Sequence, residues 1–154
     1  MKFIYRPVFV GALALALLCG TAYAEPHATA ADARAMLQSA VAEIKSVGPK
    51  AAFAEFNQPN GKFHNGELYV FVFDEKGVYE AYGANPALVG ADVSDLTDAQ
   101  GKPIVRDMIE IAKASGKGNI SNIWLNRADN HIERKVSLIE LVDGHIVGVG
   151  YYPK

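Results

Sequence analysis

Apolar residues recur at three- and four-residue spacing before the helix-stopping pair Gly48-Pro49. This spacing predicts an amphipathic helix that begins at a Thr29 or Asp32 cap and packs against a sheet or another helix. A shorter helical segment is predicted over residues 50–56, and the turn-forming residues 57–61 end it. The apolar stripe of the long helix consists of Met36, Leu37, Ala40, Val41, Ile44 and Val47.

The strongest strand signal lies in residues 68–73, which are all apolar and are bounded by turn-forming clusters. Because side chains alternate along a strand, one face carries aliphatic groups and the other carries aromatic rings. Residues 74–77 predict a tight hairpin into a second strand over 78–82. The aliphatic face comprises Leu68, Val70 and Val72, and the aromatic face comprises Tyr69, Phe71 and Phe73.

The remainder of the chain predicts an ordered loop, a helix and three further strands. The loop covers residues 83–97, and the helix begins at Pro103 and ends at Ser115-Gly116. The strands are predicted over residues 119–126, 132–142 and 145–152, with turns between them. This order favours an α+β fold in which an antiparallel sheet carries the long first helix on one face.

A targeting segment precedes this folding unit. Lys2 and Arg6 precede an apolar run over residues 8–18, and Ala22-Tyr23-Ala24 has the small-x-small pattern of a signal-peptidase site. Residues 1–24 are therefore predicted to be a signal peptide that is cleaved after Ala24. The mature chain is then a single domain over residues 25–154, located in the periplasm.

Cys19 raises the alternative of lipidation, but Leu18 stands where a lipobox needs a small residue. The apolar run is shorter than the roughly 20 residues that span a bilayer, so stable membrane insertion is not expected. Cleavage after Ala24 leaves no cysteine in the mature chain, which excludes disulfides and thiol catalysis there.

The charge balance limits the classes of partner. The chain has 15 Lys and Arg residues against 17 Asp and Glu residues, a formal net charge of −2. Loss of the signal peptide removes two basic residues and makes the charge more negative. Nucleic acids and anionic lipid surfaces are therefore poor candidate partners.

No cofactor, metal or catalytic site is predicted. The four histidines, His27, His64, His131 and His145, lack the mutual spacing of a metal site. Asp92, Asp95 and Asp98 recur at every third residue and raise the alternative of calcium, but their spacing differs from an EF-hand loop. No nucleophile and base can be paired from the spacing, which predicts a protein that is not an enzyme.

The aromatic face of the sheet is the candidate binding surface. A loop and a helix over such a face commonly enclose a small-molecule cavity, and the loop 83–97 and the helix after Pro103 are expected to do so here. The alternative, strongest for Phe71, is that the rings only fill the core. The predicted ligand-binding residues are Tyr69, Phe71, Tyr79, Tyr82, Asn85, Asn122, Trp124 and Lys135, with Leu88 and Asp92 as further loop candidates.

Arg134 and Lys135 are neighbours in a predicted strand, so one of them points inward if the strand is regular. An inward cation is costly unless it meets an anion, and a bound carboxylate would supply that anion. The alternative is an edge strand in which both cations face water, with Glu133 or Glu140 as partners. Both interpretations fit the sequence.

An ordered series of motifs extends over residues 30–154. The motifs are Tyr69-Val70-Phe71-Val72-Phe73-Asp74, Gly77, Tyr82-Gly83-Ala84-Asn85-Pro86-Ala87-Leu88-Val89-Gly90, Asp92, Asp98-Ala99-Gln100-Gly101, Gly116-Lys117-Gly118, Trp124, Lys135 and Val147-Gly148-Val149-Gly150-Tyr151-Tyr152. This series resembles the single Cache domain, an extracytoplasmic sensory module of chemoreceptors and sensor kinases. The resemblance implies a PAS-like fold with a five-stranded antiparallel sheet and a ligand held on the face opposite the long helix.

The resemblance also implies the ligand class, because such domains bind small organic acids, amino acids or similar metabolites. Among the predicted residues, Tyr69, Phe71, Tyr82, Asn85, Trp124 and Lys135 match pocket positions of the family. Many relatives carry a histidine and a proline after the second strand, where this chain has Tyr82-Gly83-Ala84-Asn85-Pro86, and this departure implies a different ligand. Receptors also continue into a membrane helix after this domain, whereas this chain ends at Lys154 and is expected to be free-standing.

Two function hypotheses follow. The first is a periplasmic module that binds a short carboxylate or an amino-acid-like metabolite, with Lys135 as the counter-ion. The second is an adaptor that docks on the periplasmic part of a chemoreceptor or sensor kinase. The stripe of the first helix would serve a homodimer or face the sheet, and the sequence fits either role.

Overall fold

The fold is described for residues 27–154 by a computed structural model. The predicted signal peptide, its cleavage site after Ala24 and Cys19 lie outside these residues. Within them, no helix has both the length and the apolar character that crossing a bilayer requires.

The helices begin and end close to where the sequence predicts. They are α1 (Ala30–Val47), α2 (Pro49–Phe56) and α3 (Ile104–Ser115), with a short 3₁₀ helix at Pro86–Leu88. Both candidate capping residues take part at α1: Thr29 Oγ1 accepts from the Asp32 N–H at 3.2 Å, and Asp32 Oδ2 accepts from the Thr29 N–H at 2.8 Å. This reciprocal capping box satisfies two donors that the first turn would leave unpaired.

The strands are antiparallel and follow the predicted order, with one addition. They are β1 (His64–Asn65), β2 (Leu68–Asp74), β3 (Tyr79–Tyr82), β4 (Lys117–Asn126), β5 (His131–Val142) and β6 (His145–Tyr151). The strand β1 has two residues and pairs with the start of β2, so the predicted five strands become six. A run this short gives no alternation signal in the sequence.

The sheet places β2 and β5 away from its ends. β2 pairs with β6 on one side and with both β1 and β3 on the other, and β5 lies between β6 and β4. The last three strands form the predicted meander. β5 as a whole lies between β4 and β6, although its residues 131–135 pair only with β4. The alternative in which both Arg134 and Lys135 face water from an edge strand is wrong, because Lys135 is buried.

The alternation of β2 separates two hydrophobic clusters, one on each face of the sheet. On the back, Leu68, Val70 and Val72 pack with α1 and α2. On the front, Tyr69, Phe71 and Phe73 pack with α3. The predicted aliphatic and aromatic faces are therefore present, and the front face carries the polar groups of interest.

The apolar stripe of α1 packs against the back of the sheet within the same chain. Four of its six predicted residues, Leu37, Ala40, Val41 and Ile44, are buried in the back cluster together with Ala33, and Met36 is partly buried against it. Val47, the last predicted residue of the stripe, is 47% exposed. This packing is the sheet-facing alternative that the sequence allowed. The predicted homodimer therefore draws no support from this stripe.

The three aspartates of the calcium alternative have separate roles. Asp98 is 7% exposed, and its carboxylate accepts N–H groups of Gln100, Lys102 and Ile123 at 2.8–3.0 Å. Asp95 pairs with Arg106 at 2.7 Å, and Asp92 accepts from the Ser94 N–H at 2.9 Å. The bonds of Asp92 and Asp98 to backbone N–H groups fix turns, and Asp98 also ties the turn before α3 to β4.

Candidate functional site

A cavity of about 40 Å³ lies on the front of the sheet, beneath α3. Its floor comes from side chains of β2, β3, β4 and β5, and its cover comes from Ile104, Val105 and Met108 of α3. A single water needs roughly 10–15 Å³ of such space, so the cavity has room for a ligand of a few non-hydrogen atoms. This size excludes large metabolites from the cavity as it stands.

Aromatic rings occupy most of the front and leave this small space between them. Tyr79 and Tyr82 stack with ring centroids 4.7 Å apart, and Tyr69 meets Tyr82 edge-on at 5.6 Å. Phe71 and Phe73 stack at 6.0 Å. The alternative in which the rings fill the core is therefore partly correct, because the same rings build the core and the cavity wall.

Lys135 points into the front, and Arg134 does not. The Lys135 side chain is 3% exposed, and its Nζ donates to Tyr69 Oη at 2.6 Å. Arg134 is exposed, and its Nε donates to Ser121 Oγ at 3.1 Å. Gly150 on β6 makes room for the lysine, because a Cβ there would overlap Lys135 Cε.

The Lys135 ammonium lies against aromatic rings without a carboxylate partner in residues 27–154. Its Nζ is 4.3 Å from the Tyr69 ring centroid and 5.4 Å from that of Tyr152. These cation–π contacts replace part of the lost hydration, but no Asp or Glu oxygen lies within 4.0 Å among the described residues. A buried ammonium in this setting attracts an anion.

Burial lowers the pKa of Lys135 to about 8 from 10.5. Tyr82 and Glu67 act in the opposite direction and raise the pKa, and the positive charge of Arg127 lowers it further. Desolvation is the largest of these causes because the charged form has lost its water. The ammonium is nevertheless the main form at neutral pH.

The tyrosines of the cavity keep their protons. Burial raises the pKa of Tyr82 to about 12, and it also raises the pKa of Tyr69 and of Tyr79. Neutral hydroxyl groups can donate to an anion as well as accept from a cation. The front of the sheet thus combines one ammonium with several neutral donors.

Asn122 and Ser137 add two neutral polar side chains to the cavity wall. Asn122 lies directly opposite Lys135 in the β4–β5 ladder, and Ser137 follows Lys135 by two residues on the same face. Both are buried, at 5% and 2% exposure. An anion that reaches Lys135 therefore lies beside polar groups from two neighbouring strands.

Comparison with known proteins assigns the chain to a protein family. The family model for single Cache domain 2 matches residues 21–153. The chain belongs to the single Cache domain 2 family. The predicted membership of the single Cache family and the predicted PAS-like α+β fold are thereby confirmed. Domains of this family are extracytoplasmic sensory modules of the chemoreceptor type.

Solved structures show the same Cache fold at low sequence identity. A methyl-accepting chemotaxis protein from Vibrio parahaemolyticus RIMD 2210633 is 20% identical, with a TM-score of 0.65 over 79% of this chain and 86% of that chain. A Cache chemosensory domain described for carboxylic acid recognition is 22% identical, with a TM-score of 0.66 over 79% of this chain and 91% of that domain. A periplasmic sensor domain of a chemotaxis protein is also 22% identical, with a TM-score of 0.62 over 79% of this chain and 88% of that domain.

Seven of the eight predicted ligand-binding residues line the cavity of this Cache domain. They are Tyr69, Phe71, Tyr79, Tyr82, Asn122, Trp124 and Lys135. Asn85 does not line it, because its Oδ1 accepts from the Ala87 N–H at 3.3 Å and caps the 3₁₀ helix. Leu88 is 39% exposed, and Asp92 forms its turn with Ser94, so neither lies in the wall.

Sequence reasoning missed several wall residues of the Cache domain. Phe73 and Ser137 follow predicted residues by two positions, so strand alternation could have identified both. Leu96 comes from the loop 83–97, which otherwise runs along the outer edge of β3, where the Tyr79 carbonyl accepts from the Gly90 N–H at 2.8 Å. The helix α3 therefore covers more of the cavity than the predicted loop does.

A second cleft of about 150 Å³ adjoins this Cache cavity and shares Tyr69 with it. Glu67 lies at this cleft and accepts from His27 Nδ1 at 2.8 Å, the Ala28 N–H at 2.7 Å and Asn126 Nδ2 at 3.1 Å. These bonds hold the segment before α1 against the start of β2. The hydrogen bond to Glu67 also raises the pKa of His27.

His27 is also close to two further carboxylates, which the histidine spacing in the sequence does not reveal. Potential ligand atoms of His27, Asp129 and Glu133 all lie within 4.8 Å of one another. Glu133 accepts from Asn126 Nδ2 at 2.9 Å, so the same amide contacts both Glu67 and Glu133. Asp129 accepts from the His131 N–H at 3.0 Å, so each of the three residues has a hydrogen-bond partner outside the group.

Proposed function

We propose that this Cache domain is a periplasmic sensory module that binds a short carboxylic acid in the front cavity. The observation that carries the proposal is the buried Lys135 ammonium, which has no carboxylate partner in residues 27–154 and faces a cavity of about 40 Å³. A carboxylate there would pair with Nζ and accept from the neutral tyrosine hydroxyls. The rings would exclude water and strengthen the ion pair.

The ligand-binding residues of the proposal are the seven predicted residues that line the cavity. A related Cache chemosensory domain is described for carboxylic acid recognition, which agrees with this ligand class. Docking on a chemoreceptor or sensor kinase stays a prediction from the sequence. It is compatible with ligand binding, because the cavity lies under α3 and leaves the outer surface for a partner.

A titration of the purified protein at pH 7 tests the proposal. We expect acetate and propionate to bind with dissociation constants of about 0.1–1 mM, on the order of −5 kcal/mol, because so few atoms limit the affinity, and to raise the melting temperature. Acetamide has nearly the shape of acetate but carries no charge, so it serves as the matched control and should give no shift. Equal shifts with acetamide and acetate, or no shift with any acid, would contradict the proposal.

The affinity for carboxylates should depend on pH through Lys135. The pKa of this amine in the empty cavity is about 8, so it is protonated below that pH and loses its proton above it. The dissociation constant should therefore be flat between pH 6 and about 7.5 and then increase by up to about tenfold per pH unit. Calorimetric titrations at pH 7, 9 and 10 measure this slope, and a flat profile would contradict pairing with Lys135.

The lowered pKa of Lys135 also determines whether the stability of the ligand-free protein rises or falls with pH. The unfolded chain holds the lysine proton up to pH 10.5 while the folded chain releases it from about 8, so stability rises with pH in this window. The buried tyrosines act oppositely above pH 10, because their pKa values are raised on folding. The gain should therefore be measurable between pH 8 and 10.

A further inference from the structure

Asn122 has a buried hydrogen-bond acceptor that the described chain leaves unused. The residue is 5% exposed, and its Oδ1 has no donor within residues 27–154. Buried amide oxygens almost always have a partner, since an unpaired one has lost its water without compensation. Asn122 lines the cavity, so a group bound there is placed to supply the missing donor.

The position of Asn122 puts this acceptor beside the proposed carboxylate site. Asn122 and Lys135 are directly paired residues of β4 and β5, and both line the same cavity. Side chains of directly paired residues start roughly 4.5–5.5 Å apart on one face of a sheet. Both side chains line one cavity of about 40 Å³, so a small ligand that fills it lies beside both of them.

The two groups require different chemistry from that ligand. The ammonium of Lys135 needs an acceptor, which a carboxylate supplies. An ionised carboxylate has no proton to donate, so acetate or propionate would leave Asn122 Oδ1 without a partner. A ligand that satisfies both residues carries a donor on the carbon next to its carboxylate.

Charge decides between the two simplest donors, a hydroxyl and an ammonium. No Asp or Glu lines the cavity among the described residues, and Lys135 already places a positive charge there. The ammonium of an amino acid would be buried close to that charge without a counter-ion, which is unfavourable. A hydroxyl donates its proton without adding charge.

We propose that the cavity selects short 2-hydroxy acids over acids that lack the hydroxyl, with Asn122 as the residue that determines this specificity. The inference rests on the proposed carboxylate site and adds the group next to the carboxylate. Glycolate is the probe of choice, because it has the size of propionate with a hydroxyl in place of the methyl group. Glycine serves as the ammonium analogue.

Calorimetric titration of the purified protein with glycolate, propionate and glycine at pH 7 tests the inference. Glycolate should bind at least about tenfold more tightly than propionate, because only glycolate pairs the buried oxygen, and more tightly than glycine. In Asn122→Leu the ratio of the propionate to the glycolate dissociation constant should fall to about one. Asn119→Leu, the same substitution at an exposed position of β4, should keep the wild-type ratio.

The outcomes separate this inference from the proposed function. Equal affinity of the wild-type protein for glycolate and propionate would overturn the inference while leaving the carboxylate site intact. A glycolate preference that persists in Asn122→Leu would overturn the role of Asn122. Failure of all acids to bind would overturn both proposals. If Asn122→Leu does not fold, Asn122→Ala should show the same loss of preference, and the wild-type ratio remains decisive.

Discussion

Replacing Lys135 by methionine should weaken binding of short carboxylates by at least about a hundredfold while raising the melting temperature by a few degrees. The loss follows because methionine fills similar space but has no charge, and removing one partner of a buried charge pair typically costs about 2–5 kcal/mol. The gain follows because the ammonium is buried without a carboxylate, and apolar replacements of buried charges are often stabilising by about 1–4 kcal/mol. Calorimetry and thermal unfolding measure the two effects.

Arg134→Met is the matched control for this experiment. The residue is next to Lys135 on β5, but its guanidinium is exposed and contacts Ser121. Affinity should stay within about twofold of the wild type, since an exposed charge contributes little. Unchanged acid affinity in Lys135→Met would remove Lys135 from the site, and equal losses in both variants would indicate a general charge effect.

Gly148→Ala should destabilise the protein by about 3 kcal/mol and abolish ligand binding. Gly148 lies opposite Phe71 in the β2–β6 ladder, and an added Cβ would overlap the Phe71 ring. The ring must then move toward the cavity or the strands must separate, and overpacking of this kind costs about 1–3 kcal/mol or more. Urea unfolding with a constant m-value measures the loss.

The double variant Gly148→Ala/Phe71→Ala checks the cause. Removing the Phe71 ring leaves room for the new methyl group, so the double variant should be more stable than the sum of the single losses by about 1–2 kcal/mol. Purely additive losses would show that Gly148→Ala acts through the backbone of β6 and not through the ring.

Much of the fold is predictable because its elements have strong local signals. The three-and-four spacing of α1 and the alternation of β2 depend on neighbours along the chain, and both appear where the sequence predicts. The two-residue strand β1 has no such signal, because it exists only through its pairing with Tyr69 and Leu68. Elements that long-range contacts create are absent from local patterns.

The candidate site is predictable in part for the same reason. Alternation puts Tyr69 with Phe71 on one face of β2, and Asn122 with Trp124 on one face of β4. The structure brings all four to the cavity. Alternation could not decide between Arg134 and Lys135, since that choice depends on the register of β5 against β4. Nor could it show that the Asn85 amide caps a 3₁₀ helix, because loop side chains have no period that indicates a direction.

The separation of the two hydrophobic clusters by the sheet has a consequence for how such a module diversifies. The cluster that packs against α1 includes Val70 and Val72, whereas the cavity uses Tyr69 and Phe71, which alternate with them and lie on the opposite face. Substitutions in the wall can therefore alter chemical preference while the scaffold behind the sheet keeps its packing. New specificities become accessible through few mutational steps, without first dismantling the part of the chain that keeps it folded.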